Sequence, residues 1–524
     1  MTTSHHHLLL PEGLEDQAVL TALAGLDAVG AVVDDLSAIT AKQIYLDTFD
    51  WRLHRRDRTL HLEPDGDEGR LVWSARASGR ALVSMPASGQ PPVWGPDLPE
   101  GAIRRAVVPM LDVRALRPVV TFEGVFRPVL LCDPLGEIVV RVIFDRLHAR
   151  SLAGVKQRLR VEVPRGIRLE VIPGGEGVGE AALEALVALG LMPCASALDR
   201  AYTAIGVIPA GWSTRLDFPL EPTSRSDDAV KQIMLHLLKV IEVNGVGVQQ
   251  NIDIKCLHDL RVATRRTRSG LSRMKGVLPE KTVLWAKEEF AWLQHVTGPA
   301  RDLDVFACEL PRMTADLPLG LQSGVAPLAA LIDEHRVAEN AKVHAAVRSD
   351  RFAELVARWR KAMEKKAPKK PKAPDALTPI AELASVRIWK MYRRVLKEGR
   401  LITVDSPVEQ MHELRKTVKK LRYLLEFFRH LYPRKQMSKC VKALKQLQTL
   451  LGHLNDAQVQ HDFMLALGGS LKSNGQVPPE SLMLAGVLMA RALEALEAGR
   501  LRFQARFEAF DTPEHYALFE ALFR

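Results

Sequence analysis

Two segments of this 524-residue chain repeat one pattern at an offset of 154 residues, and that repetition constrains the fold more than any other feature. His258-Asp-Leu-Arg-Val-Ala-Thr-Arg-Arg-Thr-Arg268 aligns with His412-Glu-Leu-Arg-Lys-Thr-Val-Lys-Lys-Leu-Arg422, keeping His, acid, Leu, Arg, two adjacent cations and a last Arg in order. The same offset, without a gap, sets Gln294–Asp302 on Gln448–Asp456. Two separate motifs sharing one offset identify an internal duplication, each copy being one supersecondary unit that buries its core partly against the other.

From Ser226 onward nearly every segment has helical period, beginning with Ala229–Asn244, and strand signals vanish. This predicts an all-α domain over residues 225–524, with a first repeat at about 225–362 and a second at about 376–524. Between them lies Lys365-Lys-Ala-Pro-Lys-Lys-Pro-Lys-Ala-Pro374. Its prolines forbid helix and its like charges repel, so an extended, mobile linker is expected over 365–374. The region before residue 215 reads differently. Short β-rich segments at Lys42–Leu46, Thr59–Leu62, Arg70–Ala75, Arg80–Val83, Val119–Phe126, Glu137–Phe144 and Lys156–Val163 are punctuated by Gly, Pro and Asp, the pattern of an antiparallel sheet or barrel. Helical interludes fall at Glu15–Leu26 and Gly179–Leu189. The expected class is a multidomain α+β protein: an antiparallel, barrel-like domain over 1–215, then the duplicated helical domain.

The chemistry lies in the repeated helices. On a helical wheel His258, Arg261, Arg265 and Arg268 fall within about 80° of one another, opposite Leu260, Thr267, Leu271 and Met274. His412, Arg415, Lys419 and Arg422 form the same stripe against Leu414, Val418, Leu421 and Leu425, and a second row adds Arg266 and Arg273 in one copy and Lys416 and Lys420 in the other. Arg261 to Lys275 holds six cations and Arg415 to Arg422 holds five, with no acid in either. Like charges at these spacings repel by a few tenths of a kcal/mol per pair, so the stripes call for an anion. Guanidinium forks suit phosphate oxygens and lysine adds point charge. Further basic rows, Lys439 and Lys442 with Lys435 and Lys445, and Arg387, Arg393, Arg394 and Lys397, extend the set. Aromatics are sparse among these cations, which favours a phosphate backbone over stacked bases. His258 and His412 open the stripes either as phosphate donors or as packing residues. Neither has a partner at metal spacing, so no metal is assigned.

Charge supports the division. The net +10 hides 23 basic and 28 acidic residues before residue 225 against 49 and 34 from residue 225 onward, and such a surplus concentrates polyanions of any kind. The five cysteines lie far apart and are read as buried thiols. Charge-free stretches are too short to cross a bilayer and the start lacks the order of a signal peptide, so a soluble cytoplasmic protein with no membrane partner is expected.

The pattern His-x-x-Arg-Val-x-x-Arg-Arg-x-Arg-Ser at His258–Ser269, its copy at His412 and the Gly298–Asp302 and Gly452–Asp456 turns resemble the CHAD domain, the conserved histidine α-helical domain. The resemblance implies two four-helix bundles related by a pseudo-twofold, whose basic faces line a groove for inorganic polyphosphate, and association with polyphosphate granules. The stripe cations, with Lys439 and Lys442, would then be the phosphate contacts. The first half resembles the CYTH domain, the triphosphate tunnel fold, through Tyr45-Leu-Asp-Thr48. The metal-holding acids of that family are missing: the chain starts His5-His-His-Leu-Leu-Leu10, has Leu60-His-Leu-Glu63 where phosphate-binding arginines are expected, and ends its late strands Phe144-Asp145 and Glu162-Val163. A non-catalytic polyphosphate-binding protein without cofactor is therefore expected, against two rivals: a metal-dependent triphosphatase with an altered site and a nucleic-acid-binding module. Replacing Arg261, Arg265 and Arg268 is expected to leave folding intact.

Overall fold

A computed structural model describes residues 4–34, 37–151, 160–474 and 479–524. The chain divides into compact units at residues 1–213 and 214–524. The division falls before residue 214 because residues after it bond to the helical unit: the Thr214 carbonyl accepts from Arg266, and Asp217 pairs with His430 at 3.0 Å.

The first unit runs β1 (Ser4–Leu9), α1 (Asp16–Ala24), β2 (Ala31–Val33), β3 (Ile39–Thr48), β4 (Arg58–Asp65), β5 (Glu68–Ala75), β6 (Ala81–Ser88), α2 (Ala102–Leu111), β7 (Leu116–Cys132), β8 (Ile138–Ser151), β9 (Arg160–Glu162), β10 (Gly166–Val171), α3 (Glu176–Ala188), β11 (Met192–Pro193) and α4 (Ala197–Ala204). Apart from residues 156–159, which lie outside the described residues, every strand expected from the sequence lies in or overlaps β3 to β9, and the helical interludes are α1 and α3. The strands form one antiparallel sheet ordered β11-β1-β10-β8-β7-β3-β4-β5-β6, with β2 on β7 and β9 on β8.

Strand alternation sorts its two faces. On one face Leu60, Leu62, Leu71 and Trp73 pack under Ile103, Val107 and Leu111 of α2, and Val140, Val142, Ile167 and Leu169 pack under Val19 and Leu23 of α1 and Ala182 and Leu186 of α3. The other face curves around a cavity of about 790 Å³. Its lining takes every second residue: Gln43 and Tyr45, His61 and Glu63, Arg70, Ser74 and Arg76, Arg141 and Asp145. The apolar face is therefore outside, under helices, and the charged face is inside. Asp47 of the Tyr45-Leu-Asp-Thr48 segment is structural: its buried carboxylate accepts the amides of Thr48, Leu53 and His54 at 2.7, 3.0 and 2.9 Å and closes the turn after β3.

The second unit runs α5 (Ser226–Gln249), α6 (Ile254–Arg273), α7 (Glu280–Val296), α8 (Gly298–Thr314), α9 (Leu319–Gln322), α10 (Val325–Arg348), α11 (Asp350–Glu364), α12 (Ile380–Arg400), α13 (Val408–Phe427), α14 (Arg434–Asn474), α15 (Pro479–Glu508) and α16 (Pro513–Phe523). Four pairs of helix starts, 226 and 380, 254 and 408, 280 and 434, 325 and 479, keep the 154-residue offset. Equivalent helices also touch each other, α5 with α12, α6 with α13 and α10 with α15, as a twofold relation demands. The two copies share part of their packing: one core joins Leu303, Phe306, Leu328 and Ile332 of the first copy to Met464, Leu484 and Leu488 of the second.

The expected turn at Gly452–Asp456 is absent, because α14 runs straight through it, while its counterpart Gly298 starts a new helix. The residue after each glycine accounts for this. Pro299 lacks the N–H that would continue the ladder from α7, and His453 has one. The linker is non-helical but held: the Lys365 carbonyl accepts from Lys231 Nζ at 2.8 Å and the Pro368 carbonyl from Arg225 at 2.9 Å. Cys132, Cys256 and Cys440 are buried as expected, whereas Cys194 is half-buried and Cys308 is exposed.

Close packing of α12 on α15 rests on Gly399, where an added Cβ would sit 1.9 Å from Cε2 of the buried Phe507. Helix propensity alone would make Gly399→Ala stabilising by about 1 kcal/mol, and overpacking against a fixed ring costs ~1–3 kcal/mol. The expected outcome is a lower Tm for Gly399→Ala in thermal melts; a higher one would contradict this packing.

Candidate anion-binding face

α6 opens on Asp253, whose side chain accepts the Cys256 amide at 3.0 Å, and buries Leu260, Ala263, Thr264, Thr267 and Leu271. α13 buries Met411, Leu414, Val418, Leu421 and Leu425. These apolar faces are the ones the wheel predicts. Because α6 packs on α13, the two cationic stripes come together, and Arg265 lies close enough to Arg415 and Lys419 to disfavour their protonation.

The cations differ in their surroundings. Arg261, expected at the surface, is buried at 9% exposure and donates to the Gln294 carbonyl (2.8 Å) and Thr297 Oγ1 (3.0 Å), tying α6 to the end of α7. Burial first, and then Arg265, lowers its pKa to about 10. Arg266 donates to Glu426 at 2.8 Å, and Arg422 donates to the same carboxylate at 2.7 Å and to Gln448 at 2.8 Å. Asp302 lies among Arg261, Arg301 and Arg265, and its counterpart Asp456 is 4.0 Å from Arg415. The stripes therefore do meet acids, supplied by neighbouring helices and, for Arg422, by Glu426 one turn further along α13. Arg265 and Lys419, which occupy equivalent positions in the two copies, have no ion pair among the described residues. Burial and then Arg415 and Arg265 bring the Lys419 amine down to about 8.

Around this centre Arg261, Arg265, Arg266, Arg301, Arg415, Lys419 and Arg422 face four carboxylates, Asp302, Asp304, Asp456 and Glu426. The positive surplus sits in a partly desolvated place where charge is felt strongly. A second cluster continues it: Arg273 and Lys420 both have lowered pKa values, first through burial and then through Arg394 and Arg273. Arg273, Arg387, Arg393, Arg394 and Lys397 line a groove of about 700 Å³ that also holds Trp389. Arg301 and Asp302 were not singled out in the sequence as stripe partners.

The remaining expected residues are more peripheral. Arg268 is half-buried beside the centre and has no ion pair among the described residues. Lys416 pairs with Glu413 of its own helix at 2.7 Å. Lys439 and Lys442 are exposed on α14, and no hydrogen bond or ion pair ties them to the stripes among the described residues. His412 is exposed and hydrogen-bonded to Asn455, with its pKa lowered by burial and then by Lys416; it lines a pocket of about 310 Å³ with Arg415, Asn455 and Asp462. His258 is half-buried at the equivalent position.

The cavity of the first unit has a different character. Arg70 donates to Glu63 at 2.6 Å, Arg76 to Asp199 at 2.9 Å, and Arg200 to Asp145 at 2.7 Å, while Arg141 and Arg168 share Glu170 at 3.3 and 2.9 Å. His61 and then Arg70 hold the Glu63 pKa down at about 2. These acids are spent on arginines, and among the described residues no three His, Cys, Asp or Glu groups cluster as metal ligands. The divalent metal that the tunnel-fold resemblance implies does not fit this donor set. No helix among the described residues is long and apolar enough to cross a membrane.

An antiparallel sheet unit followed by a duplicated helical unit with one shared cationic face defines the class. Residues 232–465, within the helical unit, match the family model of the CHAD domain. The chain is similar to the crystal structure of the CHAD domain from the plant Ricinus communis, with 27% identity and a TM-score of 0.46 over 55% of this chain and 96% of that one. It is also similar to PptA from Streptomyces chartreusis (18%, TM-score 0.40, covering 54% and 100%) and to a putative adenylate cyclase from Bacillus halodurans (12%, TM-score 0.25, covering 37% and 95%). No curated protein matches.

The depressed Lys419 pKa has a consequence for stability. Folded Lys419 binds its proton more weakly than the unfolded chain does, so the penalty is fully present below pH 8 and fades as pH rises toward the ordinary lysine range. Lys419→Met is therefore expected to raise Tm at pH 7 in low salt, with a gain that shrinks as pH approaches 10.5. A pH-independent difference in the melts would contradict the charge crowding.

Proposed function

We propose that the CHAD unit binds inorganic polyphosphate without catalysis, on the face that α6 and α13 share. The observation that carries this reading is the meeting of the cations Arg265 and Lys419, one from each repeat, in a place where Lys419 is already hard to protonate. An anion with closely repeated charges relieves that crowding over its whole length, and one touching both repeats gains from linked contacts. The resemblance stated from the sequence points to the same ligand and to cytoplasmic polyphosphate granules as the place of action. The tunnel-like unit is read as non-catalytic, because its acids are occupied by arginines. Release of phosphate from triphosphate by the full chain with Mg²⁺ or Mn²⁺ would overturn that part.

Trp389 and the arginines of the 700 Å³ groove favour a second reading, a single-stranded nucleic acid stacked on the ring. Competition at equal phosphate concentration decides: polyphosphate is expected to displace the oligonucleotide, and the reverse would favour the second reading.

Three outcomes test the main reading. Log affinity for long-chain polyphosphate should fall linearly with log salt. Replacing Arg265 and Lys419 together with Gln should weaken binding at least about tenfold, since each removes a charged contact of ~1.5 kcal/mol or more, and should flatten the salt slope by about 1.4. That variant should melt no lower than the parent. Arg261→Gln, in contrast, should lower Tm, because it strips buried hydrogen bonds from the end of α7. Unchanged titration curves for the double variant would remove the shared face as the site.

A further inference from the structure

The cavity of the N-terminal unit has features of a ligand site that are independent of the CHAD face. Strand register arranges its walls in rows. Across β1, β10, β8 and β7, His7 faces Arg168, Arg168 faces Ile143, and Ile143 faces Pro128; one row on, Glu170 faces Arg141 and Arg141 faces Leu130. The β10–β8 wall is therefore cationic, and it passes directly into an apolar strip of Ile143, Pro128, Leu130 and Phe126, with Phe126 opposite Ile39 of β3.

The charge on that wall is small. Arg70 and Arg200 each have a carboxylate of their own and Arg76 has two, Asp199 and Asp57, whereas Arg141 and Arg168 share Glu170, which leaves a local surplus of one positive charge at that pair. Burial, and then Arg168, lowers the His7 pKa to about 4, so this imidazole is a neutral hydrogen-bonding group. Several buried polar atoms on the walls make no hydrogen bond: His7 Nε2, Arg168 Nε, and Nδ1 of His61, whose residue is 7% exposed. A buried polar atom without a partner costs about 1–3 kcal/mol, and a ligand group that meets it removes that cost. A triphosphate would bring about four negative charges to a wall with one surplus positive charge and no site for a neutralising metal. A single anionic group on an apolar body matches both the charge and the strip, within the usual volume of small-molecule pockets.

We propose that this cavity binds an amphiphilic organic monoanion without a metal ion, a carboxylate held by Arg141 and Arg168 with its hydrocarbon portion along Phe126, Pro128, Leu130 and Ile143. The body is aliphatic or aromatic, and the test separates the two. The full chain is titrated with the fluorescent monoanion 1-anilinonaphthalene-8-sulfonate and then competed with decanoate, 4-phenylbutyrate, decylamine, or triphosphate with Mg²⁺. Either carboxylate should displace the dye, and the stronger competitor identifies the body; decylamine and triphosphate should not displace it. Arg141→Gln with Arg168→Gln should weaken dye binding at least about tenfold, the loss expected for one charged anchor. Leu130→Glu, which sets a carboxylate in the strip opposite Arg141 and keeps both arginines in the chain, should do the same if the double variant fails to fold. Arg265→Gln with Lys419→Gln should leave dye binding unchanged, which separates this site from the polyphosphate reading. Displacement by triphosphate at lower concentration than by the carboxylates, displacement by decylamine, or full dye binding by Leu130→Glu would overturn the proposal.

Discussion

Contact between α6 and α13 is the constraint on which the helical unit depends. Each helix spends one face on apolar burial and leaves the other cationic, and packing equivalent helices together brings like charges near one another. The fold answers with carboxylates: Glu426, one turn past Arg422 on α13, takes Arg266 and Arg422, Asp302 lies among Arg261, Arg265 and Arg301, and Asp456 faces Arg415. That compensation stops short. A buried or half-buried charge without a partner costs stability, and a chain that keeps Arg265 and Lys419 in this state holds an incomplete charge balance that an outside anion can complete.

Duplication explains why the surplus lies where it does. The helix starts repeat at one offset over four pairs, so Arg265 and Lys419 occupy corresponding places and a twofold relation sets them close together. The two copies have diverged in detail. Pro299 breaks the first copy's long helix where His453 lets α14 continue, and Arg301 stands in the first copy where Asn455 holds His412 in the second. The face is thus symmetric in charge and asymmetric in shape, and Trp389 and the groove arginines extend it toward α12.

Much of this could be read from the sequence because periodicity records burial. The strand segments, α1, α3, the helical unit and the apolar sides of α6 and α13 all follow from alternation or helical spacing. Three features could not be read that way. A wheel shows which way Arg261 leaves its own helix but not that α7 ends against it, so a residue expected in solvent is buried and bonded to Gln294 and Thr297. Counting acids within one helix missed Glu426, Asp302 and Asp456, which arrive from other helices or from later turns. Lys439 and Lys442 share a helical face with one another, yet α14 sets that face apart from any stripe contact among the described residues. In the first unit the alternation was legible, but which face turns inward was not. The helices α1, α2 and α3 cover the apolar side, and so the charged side lines the cavity.

The central claim, that a polyanion completes the charge balance at Lys419, is tested most directly by counting protons. Lys419 titrates at about 8 in the free chain, so roughly half of it is neutral at that pH, and an anion held against it restores the ordinary lysine affinity for the proton. Calorimetric titration of the full chain with long-chain polyphosphate at pH 8, repeated in buffers of different ionisation enthalpy, should show uptake of about half a proton per site, lost in Lys419→Gln. Binding with no proton uptake, or with uptake unchanged in that variant, would contradict the account.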